Sequence, residues 1–272
     1  MRWFCVGLTF VVAAVCVSPA AGQQRVARVP STTGEAGPSV ASPGQAALER
    51  AAAAKKILFI FFWKEKNPQT EKALSVWQTA LTNMADVADG VAIQTTNPAE
   101  KKIVARFDVS RSPMPLVLGV APCGAITKAF TGTFEEKKLR AAIVSPCTQL
   151  CLKALQDRKL VLLCVASQAA EQGQNLIPKG VQEFQADQRY SKATEVVLVN
   201  VSDSNEATLL KEFQVDPQAQ QPAVVFLAPP GSLVGKFNGN PTKEQLVAKL
   251  TAAQSSCCPG GQCGPNGCGP KK

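Results

Sequence analysis

The sequence predicts an α/β protein that contains two copies of one domain, and three observations support this prediction. Residues 58–63 form an apolar run of aromatic and β-branched residues, which is typical of a strand buried on both faces. Polar segments with helix-start signals separate this run from the later apolar runs, so strands and helices alternate along the chain. Short motifs also recur about 107 residues apart, and so long a period indicates a duplicated domain rather than a solenoid. A chain of 272 residues is long enough for two small domains.

The first copy begins with an Ala-rich helix and continues with the apolar strand. Asn67 then provides an N-cap, and Pro68 stands at the first helical position of the next helix. Capping-box patterns at 97–100 and 133–136 predict two further helix starts. The elements expected for this copy are, in order, a helix from Gln45, strand 58–63, a helix from Asn67, strand 90–95, a helix from Asn97, strand 116–120, a short strand ending at Phe130 and a helix from Thr133 to Ile143.

The second copy repeats this order of elements. The segment from Ala121 to Gly124 matches the segment from Ala228 to Gly231, 107 residues later, and Phe130 matches Phe237 at the same spacing. The expected elements are helix 148–158, strand 160–166, a helix near 177–185, strand 195–201, helix 206–213, a hairpin over 223–237 and helix 241–252. We therefore place the first domain at 45–144 and the second at 145–254.

The predicted order of elements, α-β-α-β-α-β-β-α, resembles that of the thioredoxin-like superfamily. Three details of the first copy add to this resemblance: Phe62 and Trp63 at the end of the central strand, a proline (Pro115) directly before the hairpin, and Gly132 before the last helix. The resemblance implies two tandem thioredoxin-like domains, each with a central mixed sheet flanked by helices.

The same resemblance implies that the redox site has lost its cysteines. It places Asn67 and Thr70 where the family has the two cysteines of its Cys-x-x-Cys motif, and Phe61 where thioredoxins have a buried acid. A dithiol oxidoreductase needs a nucleophilic thiolate and a resolving thiol, and neither Asn67 nor Thr70 can supply one. We expect a degenerate, redox-inactive site in which Asn67 caps a helix.

A peptide-binding role remains open to such a fold. In this family the proline before the hairpin is cis, and the residue before it pairs with extended peptides as an added strand. By resemblance, Pro115 and Pro222 are the expected cis prolines, and Met114 and Gln221 are the expected peptide-binding residues.

Two cysteines at the start of the second copy are a separate candidate site. Cys147 and Cys151 are four residues apart, so they share one face of a predicted helix. They could bind a soft metal, respond to redox state or catalyse thiol–disulfide exchange, and they could equally pack in the core or form a disulfide. A Cys-x-x-x-Cys motif resembling theirs binds copper in a family of thioredoxin-fold copper chaperones, but that site includes a His, and this chain has none.

The last residues, 255–272, are rich in Cys, Gly and Pro and predict a disordered tail. Its thiols could wrap one zinc or copper(I) ion. Local or intermolecular disulfides and thiols without a defined role are the alternatives. The tail cysteines are Cys257, Cys258, Cys263 and Cys268.

The opposite end of the chain predicts export. Arg2, an apolar core over 6–17 and small residues over 18–22 are typical of a secretory signal peptide, here residues 1–22, followed by a flexible linker over 23–44. The expected location is the periplasm, the cell envelope or the exterior, with no membrane span after signal cleavage. Export implies an oxidising compartment in which the cysteines could pair.

Composition narrows the possible functions. The chain has 29 basic and 20 acidic residues, but a single Tyr and no aromatic–basic cluster, which argues against a nucleic-acid partner. The lack of His removes the usual general base. We therefore predict a non-catalytic binding or scaffold protein that contacts unfolded or extended polypeptide. The alternatives are metal or thiol handling through the C-terminal cysteines and a thiol–disulfide oxidoreductase that uses Cys147 and Cys151. The oligomeric state is not determined by the sequence.

Overall fold

Two four-stranded sheets form the centres of two successive domains in the computed structural model, which describes residues 42–166 and 176–255. The predicted signal peptide and the tail cysteines lie outside these residues. Within the described ranges, no helix is both long and apolar enough to cross a membrane.

The first domain has the predicted alternation of helices and strands. Its sheet order is β2-β1-β3-β4, with β1 parallel to β2 and antiparallel to β3. The first helix begins two residues before the expected start of the domain. The elements are α1 (Pro43–Ala53), β1 (Ile57–Trp63), α2 (Pro68–Thr82), β2 (Ala88–Gln94), α3 (Lys101–Arg106), β3 (Leu116–Val120), β4 (Ile126–Thr131) and α4 (Glu136–Arg140).

Strand β1 is central because its unbroken apolar sequence suits a position with both faces covered. Phe59 and Phe61 face a cluster that includes Trp77 of α2. Ile60 and Phe62 face the opposite cluster, which is formed with α1 and α3. Packing on both faces thus fixes the position of the carboxyl end of β1, where the next loop begins.

The second domain repeats the topology, with sheet order β6-β5-β7-β8 and the same parallel and antiparallel pairings. The predicted fold class, two tandem thioredoxin-like α/β domains, is confirmed. The elements are α5 (Pro146–Gln156), β5 (Leu160–Val165), α6 (Lys179–Ala186), β6 (Thr194–Val199), α7 (Ala207–Glu212), β7 (Ala223–Ala228), β8 (Ser232–Asn238) and α8 (Lys243–Ser255).

The capping box expected at Thr133 is wrong. Helix α4 begins only at Glu136, and its N-cap residue makes no side-chain capping bond. The Glu136 carboxylate accepts hydrogen bonds from the side chains of Asn83 and Arg140 instead of turning back to the helix start. Asn83, directly after α2, and Arg140 of α4 thus occupy the carboxylate that the capping box would need.

Helix α5 of the second domain packs against the first domain. The side-chain amide of Gln156 accepts a hydrogen bond from the backbone N–H of Ile126 at 2.9 Å and donates one to the Ile126 carbonyl at 2.7 Å. Leu152 packs on the apolar cluster of the first domain. The start of edge strand β4 is therefore paired with a side chain of the following domain rather than left open.

Candidate functional site

The loop between β1 and α2 lies where the resemblance places the redox motif. Asn67 has an extended backbone, and its side-chain oxygen accepts a hydrogen bond from the backbone N–H of Thr70 at 2.8 Å. Thr70 itself is only 5% exposed. The two residues are thus brought together as an N-cap pair, an arrangement that holds the helix start and offers no thiol chemistry.

Phe61 stands where thioredoxins have the buried acid. Its side chain is fully buried, and its ring centroid lies 5.6 Å from that of Trp77. An aromatic pair of this kind stabilises packing and cannot accept or donate a proton. The position expected to carry the acid belongs to the core.

Met114 and Pro115 lie beside this loop, and the peptide bond between them is cis. The Gly132 N–H donates to the Pro115 carbonyl at 2.9 Å, and a Cβ atom on Gly132 would lie 3.5 Å from the side-chain nitrogen of Gln69. Met114 is half-buried. Within residues 42–166 and 176–255, no hydrogen bond engages its backbone N–H or carbonyl.

The corresponding prediction for the second domain is wrong. Cis peptide bonds occur in the described residues at Met114–Pro115 and Pro229–Pro230, and not at Gln221–Pro222. Gln221 lies six positions after Val215, whereas Met114 lies five positions after Val109. The extra residue gives the chain more length in which to enter β7.

An open groove of about 460 Å³ lies beside Gln221 in the second domain. Amide side chains, including those of Gln214, Gln220 and Asn238, contribute to its lining. The Gly239 N–H donates to the Pro222 carbonyl at 2.7 Å, as Gly132 does to Pro115. The second domain therefore keeps the hairpin geometry but has a longer, amide-rich approach to it.

The Cys147–Cys151 pair lies at the start of α5, and the two thiols are not joined. Both are free, as are Cys123 and Cys164. The Cys147 thiol donates to the Leu198 carbonyl at 3.3 Å, while Cys151 is buried in the core of the second domain. A disulfide between these two residues is absent from the structure.

The environment of the pair keeps both thiols protonated. Burial, and after it the neighbouring Glu206 carboxylate, raise the pKa of Cys147 from 9.0 to about 12. Burial and then Glu206 likewise raise the pKa of Cys151 to about 12. A thiol–disulfide catalyst needs a thiolate near neutral pH, so this arrangement disfavours exchange chemistry.

Metal ligation by this pair finds no further support in the structure. Among residues 42–166 and 176–255, no group of three or more His, Cys, Asp or Glu side chains could hold a metal ion. The tail cysteines, for which zinc or copper(I) is predicted, lie outside the described residues, and that prediction stays a prediction. Cys164 is a core residue of β5, and burial raises its pKa to about 12.

Two buried carboxylates were missed from the sequence. Glu100 accepts hydrogen bonds from the Ser42 hydroxyl at 2.9 Å and from the Gly44 N–H at 3.1 Å, both at the start of α1. Glu206 accepts from the Ser145 hydroxyl and from the Cys147 N–H in the same way. Two features of the sequence could have pointed to these contacts. A Ser-Pro pair begins each domain, and a Glu at position 100 recurs 106 residues later at position 206.

Comparison with known proteins supports no more than a fold relationship. No protein-family model matches the chain, and no curated protein matches it. Solved structures of thioredoxin-fold proteins do match. The germline-specific thioredoxin Deadhead of the fruit fly is 17% identical, with 37% of this chain and 90% of that chain covered and a TM-score of 0.30.

Two-domain structures are among the matches. The first two thioredoxin domains of Saccharomyces cerevisiae Eps1p are 14% identical, with 76% of this chain and 92% of that chain covered and a TM-score of 0.30. The NTD_N/C domain of alkylhydroperoxide reductase AhpF from Enterococcus faecalis is 15% identical, with 75% and 98% covered and a TM-score of 0.28. These likenesses concern the fold alone, and the tandem arrangement of this chain is seen in its own two sheets. Asn67 and Thr70 form an N-cap pair where the resemblance places the redox cysteines.

Proposed function

We propose that this protein is an exported, non-catalytic protein that binds extended polypeptide at the edge of its first domain. The observation that carries the proposal is the peptide unit of Met114, whose N–H and carbonyl have no partner in the described part of the chain. An extended segment can pair with such a unit as an added strand. Main-chain hydrogen bonds then give affinity without demanding one particular sequence.

The surroundings of Met114 suit this role. In the antiparallel pairing of β1 with β3, Phe62 lies opposite Leu116. The end of β1 and the approach to β3 therefore share one edge of the sheet, namely the edge at the carboxyl end of β1 and not an outer strand. The Trp63 side chain at that edge is half-buried, and Pro113 is exposed. Trp63 packs on the α2 face of the sheet and Met114 on the opposite face, so an incoming strand would meet an apolar side chain on each face.

The chemistry of the candidate groups supports the non-catalytic part of the proposal. Asn67 and Thr70 form a helix cap, and Cys147 and Cys151 have pKa values near 12. The proposal therefore assigns the fold a redox-inactive role, and it sets aside the oxidoreductase that would use Cys147 and Cys151.

Export is part of the proposal and rests on the sequence of residues 1–22, with its basic residue, apolar core and small residues. An exported binding protein would meet polypeptides in the periplasm, the cell envelope or outside the cell. Unfolded or newly translocated chains are suitable partners, because they present extended backbone.

The proposal can be tested by titrating the protein with a short, labelled, unstructured peptide and with the same peptide N-methylated at alternate residues. N-methylation removes backbone donors while leaving the side chains in place. If two backbone hydrogen bonds are lost, each worth about 0.5–1.5 kcal/mol, affinity should fall by roughly fivefold to a hundredfold. Binding of neither peptide would overturn the proposal. Equal binding of both would show that backbone pairing is not the mode.

A further inference from the structure

Of the two domains, only the first carries a formal net positive charge. Residues 42–144 contain 14 Lys and Arg and nine Asp and Glu, a formal charge of +5, whereas residues 145–255 contain ten of each. The two domains share a topology, so the difference does not follow from the fold.

Three of these cations flank the open peptide unit. Lys64 and Lys66 lie in the loop that follows β1, and Arg111 precedes Met114 by three residues. All three are exposed. Because β1 and β3 are antiparallel with Phe62 opposite Leu116, residues after β1 and residues before β3 lie at the same edge.

These side chains are available to a ligand. None of the ion pairs found in residues 42–166 and 176–255 includes Lys64, Lys66 or Arg111. Lys101 and Lys102, exposed at the start of α3, follow the carboxyl end of β2 and add to the charge of the edge. The acidic residues in these segments are fewer. They are Glu65, Glu71 and Asp108, with Glu100 buried and bound to the start of α1.

The second domain provides a natural contrast at the same place. Its approach to β7, residues 216–221, contains Asp216 and three Gln residues, and no Lys or Arg. The groove beside Gln221 is lined mainly by amides, with Asp216 and Lys236 as its charged residues. Duplicated sites have thus diverged to a basic edge in the first domain and an amide-rich edge with balanced charge in the second.

We infer that the first domain selects extended polypeptide segments that carry Asp or Glu beside the paired backbone. The inference rests on the proposed function, since it assumes that a strand pairs at Met114. A bound strand directs its side chains alternately to two faces, so carboxylates on one face can reach Lys64, Lys66 or Arg111. The contribution of each exposed pair is modest and depends on salt.

Three labelled peptides of equal length test this inference: a neutral core flanked by Glu, the same core flanked by Gln, and the same core flanked by Lys. We expect the Glu peptide to bind roughly tenfold more tightly than the Gln peptide at low salt, with the difference shrinking as salt is raised. In Lys64→Gln/Lys66→Gln and in Arg111→Gln, the preference should diminish. The matched control is Lys55→Gln/Lys128→Gln, which removes two exposed lysines away from this edge and should keep the preference.

The outcomes separate the inference from the proposed function. If the Gln peptide binds and the Glu peptide binds no better, the acidic preference is wrong while polypeptide binding stands. If no peptide binds, both fail. A preference that is lost equally in Lys55→Gln/Lys128→Gln would reflect total charge and would overturn the assignment to this edge. Stronger binding to anionic lipid vesicles than to the Glu peptide would also overturn it, in favour of a membrane surface.

Discussion

The backbone N–H of Cys147 donates a hydrogen bond to the buried carboxylate of Glu206 at 3.0 Å. Glu100 and Gly44 form the equivalent contact in the first domain at 3.1 Å. In each domain a glutamate at the start of a later helix therefore satisfies a backbone donor at the start of the first helix, where a negative charge is favoured. The duplication is preserved down to this polar contact.

We expect Glu206→Gln to lower the pKa of Cys147, because it removes the negative charge that helps to raise that pKa to about 12. Burial is the larger cause and persists, so the pKa should stay above 9.0. Site-resolved alkylation rates as a function of pH measure this shift. Glu195→Gln, which removes a half-buried carboxylate paired with Lys159, is the control. An alkylation profile in Glu206→Gln identical to that of the wild type would contradict the prediction.

Alkaline pH should destabilise the protein through its buried thiols. Burial raises the pKa values of Cys151 and Cys164 from 9.0 to about 12. The folded state holds these protons more tightly than the unfolded state. The associated stability is therefore complete below pH 9 and is lost as the pH rises toward 12. Each thiol contributes a slope of at most about 1.4 kcal/mol per pH unit in that window.

Comparison of the wild type with Cys164→Ala isolates this effect from other alkaline titrations. Urea unfolding at a series of pH values above 9 should give a shallower loss of stability in the variant. Parallel curves for the two proteins would show that Cys164 does not titrate differently on unfolding.

The Asn67 cap should contribute to the stability of α2. Asn67→Ala removes the acceptor for the Thr70 N–H, and the expected cost is about 1 kcal/mol of unfolding free energy. Asn67→Ser retains a capping oxygen and should cost less than Asn67→Ala. Equal unfolding midpoints for the two variants in urea would refute a capping role.

Gln156 should couple the second domain to the first. Gln156→Ala removes both hydrogen bonds to Ile126. Because these bonds are exposed and water can replace them, the free energy of unfolding should fall by only about 1–2 kcal/mol. Trp63 and Trp77 report on the first domain by fluorescence during urea unfolding. Gln182→Ala, which removes one bond within the second domain, is the control. If Gln182→Ala shifted the urea midpoint of the first domain as much as Gln156→Ala does, direct coupling through Ile126 would be excluded.

Much of the fold could be predicted because its signals are local. The apolar run of β1 has no polar position, so both of its faces must be covered, and Asn67 followed by Pro68 marks a helix start within one turn. The repeat then extended the prediction to the second domain. At Gln221 the repeat misled us, because one additional residue in the preceding loop changes how the chain enters β7.

The site was less predictable because its contacts join distant parts of the chain. Glu100 lies in a local capping pattern, yet its carboxylate bonds to Ser42, 58 residues earlier. Cys147 and Cys151 share a helix face as predicted, but burial and the Glu206 carboxylate fix their protonation, and neither is visible in their spacing. The open peptide unit of Met114 likewise depends on where strands end.

The most direct test of polypeptide binding at the first domain is a map of backbone amide chemical shifts during titration with the unstructured peptide. Pairing at the open peptide unit predicts the largest changes at Met114, at Lys64 and at Gly132, with smaller changes around Gln221 and none at the start of α5. Changes centred on Cys147 and Cys151, or no change at Met114 at saturating peptide, would contradict the proposal.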